Sequence, residues 1–125
     1  MPTPQEVEQF LEKCRKLVDT SFYFSRSRDD NKETRIELGY TNENIKNTIK
    51  ALTIENYCEG PLQDHTYRAE VWIFGTIIQQ REIYIKVQIS KYNDPGDLIE
   101  TLYCISFHFA KRSLNYPFNK NKGLE

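Results

Sequence analysis

Apolar side chains recur along this chain at two periods, and the change of period divides it into a helical first half and a stranded second half. Val7, Phe10, Leu11, Cys14, Leu17 and Val18 follow one another at three- and four-residue steps, the spacing of one helix face. Thr3-Pro4-Gln5-Glu6 just before this stripe has the form of a capping box, with proline where a helix needs no N–H. Ile45, Ile49 and Leu52 predict a further helix, capped at Thr41 and separated from what precedes it by Gly39 as a helix stop. Between these helices, Phe22-Tyr23-Phe24-Ser25 predicts a short strand. The charged run over 26–35 predicts a loop or the start of a solvated helix reaching Leu38. Thr53 to Tyr57 can open a short helical turn, and residues 58–65 read as a turn-rich loop.

Beyond Tyr67 the period becomes two. Strands are predicted over 69–74, 82–90 and 101–109, with 75–81 as a hairpin connection and 91–100 as a longer one turning at Asp94-Pro95-Gly96. In the second strand Ile83, Ile85, Val87 and Ile89 share a face, leaving Tyr84, Lys86 and Gln88 opposite. In the third, Tyr103, Ile105, Phe107 and Phe109 share a face, with Cys104, Ser106 and His108 opposite. Pairing the two by their apolar faces predicts burial of Ile83, Ile85, Val87, Ile105 and Phe107. Helices followed by hairpin-linked strands make an α+β fold, with N-terminal helices packed on a C-terminal antiparallel sheet. One domain over residues 1–118 is expected, followed by a flexible polar tail over 119–125.

Composition narrows the class. With 125 residues, 28% charged and 38% hydrophobic, the chain reads as a soluble globular domain. It has no apolar run long enough to span a membrane and no basic start and hydrophobic middle of a signal peptide. Cys14, Cys58 and Cys104 are odd in number and lack paired zinc spacing, which suggests structural thiols in a reducing cytoplasm. A net charge of −1 gives no general pull toward nucleic acid. Basic groups do gather locally, at Lys13, Arg15, Lys16, Arg26 and Arg28 and again at Lys111, Arg112, Lys120 and Lys122.

The same alternation that buries the isoleucines puts a phenol, an ammonium, a hydroxyl and an imidazole on the opposite face. Such a set can cleave RNA without a metal or cofactor. The reaction needs a base for the 2′ proton, charge stabilisation at phosphorus and an acid for the leaving 5′-oxygen. Histidine titrates near neutrality and suits His108 to the first or last task, while Tyr84 can donate a proton or a hydrogen bond. Lys86 is the third candidate catalytic residue. Lys111 and Arg112 are candidate phosphate contacts, arginine through its bidentate fork. His65, grouped with these contacts, either anchors its loop or is a second acid–base group. Each residue also has a bland reading, since a solvated strand lysine or a histidine bonded within the sheet is common.

The order of elements, with these residues in them, resembles the MqsR-type toxins of bacterial toxin–antitoxin pairs, which have a RelE-like fold. The likeness runs over about residues 7–112. It includes QFLEKCRKLV, FYFSRSR, Leu38-Gly39-Tyr40, Ile49-Lys50-Ala51-Leu52, Glu55-Asn56-Tyr57, Asp64-His65, Val71-Trp72, Glu82-Ile83-Tyr84-Ile85-Lys86 and Ile105-Ser106-Phe107-His108. The resemblance implies a metal-independent endoribonuclease acting on mRNA in the cytoplasm and held inactive by a cognate antitoxin protein, with Tyr84 in the cleavage site. It also marks departures. His108 stands where that family has lysine, Cys58-Glu59 follows Asn56-Tyr57 where a lysine is expected, and no glutamine matches beside Trp72. A catalytically inactive RNA- or protein-binding module on the same fold is therefore the alternative.

Overall fold

A computed structural model describes residues 1–25, 28–64 and 69–119, and of residues 92–94 the backbone alone. Within them the chain forms three α-helices, α1 (Pro4–Thr20), α2 (Asp29–Leu38) and α3 (Asn42–Ala51), and a single 3-10 turn, Ile54–Asn56. Five strands complete it: β1 (Phe22–Phe24), β2 (Tyr57–Asp64), β3 (Ala69–Ile78), β4 (Arg81–Asp94) and β5 (Asp97–Phe109). They make one sheet in the order β1-β5-β4-β3-β2. The last four strands form an antiparallel meander, and β1 adds to its edge parallel to β5. The fold is α+β as the sequence predicts, with α1 and α3 on one sheet face and α2 against the outer edge of β5.

The predicted caps form. Thr3 Oγ1 accepts from Glu6 N at 3.2 Å while Glu6 Oε1 accepts from Thr3 N at 3.0 Å, and Thr41 and Asn44 repeat the box at α3. Gly39 ends α2 at φ +69°, left-handed backbone that suits glycine. The α1 stripe buries Val7, Leu11, Cys14 and Val18 against Ile45 and Ile49 of α3 and against Phe74, Ile83, Ile85 and Val87 of the sheet. All five strand residues predicted to be buried are buried.

Three expectations need correction. Residues 58–64 are not a loop but most of β2, paired with β3 as the outer strand. Its register shifts twice around Gly60-Pro61, and an irregular edge strand is where a sheet tolerates proline. Gly60 sits at φ +119°, and a Cβ there would lie 2.8 Å from Val71 O, so the close crossing of β2 over β3 requires glycine. The hairpin connections are also shorter than predicted. β3 runs to Ile78 and turns on Gln79 and Gln80 at φ 51° and 67°, while β4 and β5 stay paired out to Asp94 and Asp97.

The third correction concerns β5. Its alternation is broken by a bulge between the Lys86↔Ser106 and Val87↔Cys104 pairs, an extra residue that exchanges the two faces on either side. Before the bulge, Leu102 and Cys104 join the helical core and Tyr103 faces the other way, opposite Gln88. After it, Phe107 belongs to the core, as predicted. A strict period of two keeps one register through the whole strand and so predicts Tyr103 on the apolar face and Cys104 opposite, the reverse of what the bulge produces.

Candidate nucleic-acid cleavage site

On the sheet face away from the helices, Tyr84 lies directly across from His108, and Lys86 across from Ser106. The Tyr84 and His108 rings stack, with centroids 5.1 Å apart and planes 14° from parallel. His108 Nδ1 lies 3.0 Å from the carbonyl oxygen of Phe109. A carbonyl can only accept, so this bond places the proton on Nδ1 and leaves the Nε2 lone pair as the basic atom of the neutral ring. Tyr84 is half-buried, and burial, followed by the charge of Glu59, raises its pKa above the ordinary phenol value. That phenol is a poor base and a durable proton donor.

Lys86 is held. Its Nζ sits 2.9 Å from Asp64 Oδ2, and the two side chains are only 20% and 17% exposed. Asp64 comes from the end of β2, so the pair spans β2 to β4 and fixes the ammonium over the sheet. Ser106 is buried and serves as floor. Lys111 is exposed and reaches Asp30 of α2 at 3.0 Å; its hydrogen bond and charge lower the Asp30 pKa, with smaller contributions from His108 and Arg28. Arg112 is exposed beside it, and among the described residues no hydrogen bond or ion pair ties it to Tyr84 or His108. His65 lies outside the described residues. The structure therefore gathers Tyr84, His108, Lys86 and, at the rim, Lys111.

Several residues that build this site were not foreseen. Asn31, in the charged run before Leu38, is fully buried. Its Nδ2 donates to Ser25 O at 3.1 Å and Ile105 O at 2.9 Å, and its Oδ1 accepts from Phe107 N at 2.9 Å. Thr34 Oγ1 accepts from Phe109 N at 3.0 Å. Where β1 ends, these α2 side chains take over the outer edge of β5 and satisfy backbone that would otherwise be unpaired. The Ser106–His108 stretch is thereby braced from the side.

A segment after β5 closes the other end. Glu82 accepts from Leu114 N at 3.1 Å and from the Tyr116 hydroxyl at 2.6 Å, two residues along β4 from Tyr84. Gly75, paired with Tyr84 on β3, lies under this strap; a Cβ there would come within 3.0 Å of the Tyr116 hydroxyl and of Leu114 Cδ1. Phe118 then stacks on Tyr57 with centroids 5.4 Å apart. Burial and the bond to Glu82 raise the Tyr116 pKa.

Among the described residues no group of three or more histidine, cysteine, aspartate or glutamate side chains could hold a metal ion, and no helix is long and apolar enough to cross a membrane. No protein-family model matches the chain, and no curated protein or solved structure matches it.

Proposed function

We propose that the protein is an endoribonuclease toxin of the MqsR type, cutting messenger RNA in the cytoplasm through attack of a 2′-oxygen on the adjacent phosphorus. The observation that carries this reading is the Tyr84–His108 pair, a base with its lone pair set on Nε2 stacked against a phenol kept protonated. His108 Nε2 takes the 2′ proton, the new P–O2′ bond forms, and the P–O5′ bond breaks. Tyr84 gives its proton to the departing 5′-oxygen, leaving a 2′,3′-cyclic phosphate and a 5′-hydroxyl. Lys86, positioned by Asp64, stabilises the charge that builds on the phosphorane oxygens. Lys111 and Arg112 draw the backbone to the rim, with His65 as a further contact, and a cognate antitoxin protein holds the enzyme inactive.

A second reading has its own support. Lys86 and Lys111 are both engaged by carboxylates, Asp64 and Asp30, which suits a module that binds RNA or protein without cutting. Purified protein incubated with a long messenger RNA separates the two. The enzyme reading requires fragments ending in a 2′,3′-cyclic phosphate, formed equally with and without a chelator. Binding without fragments leaves the module.

A further inference from the structure

On the α1 side of the sheet, away from Tyr84 and His108, the flank of α1 and the strands beyond it enclose a cavity of about 690 Å³. Its inner part is apolar. Phe10 of α1 stacks on Trp72 of β3 with centroids 4.3 Å apart and planes 12° from parallel. Ile89 of β4 packs against the same core. All three are only half-buried, so the cavity meets an apolar surface that the helices leave partly uncovered.

The mouth of the cavity divides its charges. Alternation from Trp72 puts Glu70 on this face, with Gln63 across from it on β2. Alternation from Ile89 puts Lys91 here, across from Glu100 on β5, and Lys13 of α1 reaches that carboxylate at 3.6 Å. Two ammonium groups therefore flank one carboxylate on the β4–β5 side and leave a positive excess. Glu70 leaves a negative one on the β2–β3 side. Both Glu70 and Lys91 are exposed, and among the described residues neither makes a hydrogen bond or ion pair. Continuing the Val71↔Gln88 register by one pair, they stand diagonally across β3 and β4, about 7–8 Å apart. An extended dipeptide spans about 7 Å, so its two ends match these charges in sign and separation.

We propose that this cavity binds a short apolar peptide with both ends free, of dipeptide length. Its carboxylate sits on Lys91 and Lys13, its amine on Glu70, and its side chains on Phe10, Trp72 and Ile89. A ligand with a single charge leaves one corner of the mouth uncomplemented. The site lies on the other sheet face from the Tyr84–His108 pair and stands independently of the nuclease reading.

Trp72 is the only tryptophan in the chain, so its emission reads the cavity directly. The test is a titration of the whole protein with leucyl-leucine, followed by tryptophan fluorescence and by calorimetry. Wild type is expected to give a saturable change at millimolar peptide or below. N-acetyl-leucyl-leucine, which keeps only the carboxylate, and leucyl-leucinamide, which keeps only the amine, should each bind about ten-fold more weakly, the scale of one lost charged contact. Lys91→Gln should abolish the preference for the free acid over its amide, and Glu70→Gln the preference for the free amine over its acetylated form. Both residues are exposed, so native circular dichroism is expected in both variants. No saturable signal with leucyl-leucine overturns the site. Equal affinity for the free peptide and for one blocked at both ends overturns the charge recognition, and free leucine binding as tightly as the dipeptide overturns the assigned length. Peptide binding that neither substitution weakens places the ligand elsewhere and likewise overturns the site.

Discussion

At the scale of single residues, the chemistry turns on which proton each side chain holds. If His108 Nε2 is the base, His108→Ala should slow RNA cleavage by about a hundred-fold or more. The thermal midpoint should barely move, because the ring lies outside the helical core. The raised pKa of Tyr84 sets a sign for the pH profile. The phenol acts while protonated, and its folded value lies above the ordinary one near 10, so the alkaline fall in kcat should begin only above about pH 10. In Tyr84→Phe that fall should disappear along with most of the rate; a profile that still declines there in the variant would assign the acid elsewhere. The Tyr84–His108 meeting was legible because period-two alternation and a hairpin suffice to bring two such residues opposite each other. Asp64 was visible only as part of an Asp-His pair in an expected loop. Its partnership with Lys86 depends on β2 being a strand, which Gly60-Pro61 hid.

At the scale of elements, amphipathic periodicity located what buries a face and missed what grips an edge. α1 and α3 were readable from their apolar stripes, whereas α2 carries few apolar residues and makes its main attachment through Asn31 and Thr34, hydrogen bonds to the margin of β5. No spacing rule marks a buried asparagine inside a charged run. The β5 bulge escaped for a related reason, since Tyr103, Ile105, Phe107 and Phe109 continue an apolar alternation straight through it. Asn31→Ala should cost about 3 kcal/mol, because it removes the side-chain partner of Ile105 O and Phe107 N in the interior, and each unpaired buried group costs about 1–3. A urea midpoint that drops with an unchanged m-value would register this loss. Cleavage at a urea-free temperature well below the midpoint should also fall, since the brace positions His108. If activity per folded molecule stays at wild type, α2 stabilises the sheet without positioning the site.

At the scale of the whole molecule, the sheet divides two environments. One face is sealed by helices around Phe74, Ile83 and Ile85, and the other carries the polar site between the α2 N-terminus and the strap over Gly75. The strap depends on Glu82 meeting a protonated Tyr116. Tyr116 has a folded pKa above its unfolded value, so its contribution is complete below about pH 10 and is lost as pH rises through the folded value. Gly75 supplies the clearance, because a methyl group there would meet Leu114 Cδ1 and the Tyr116 hydroxyl. Gly75→Ala should therefore lift the strap at neutral pH while β3 and β4 stay paired. The direct reading is amide exchange at Leu114, whose N–H bonds to Glu82: its protection should collapse in the variant, while that of Ile85, inside the β3–β4 pairing, is kept. Equal loss at both amides would mean that the sheet itself had opened. Full protection at Leu114 would mean that the strap is held mainly by Phe118 on Tyr57, with Glu82 and Tyr116 secondary.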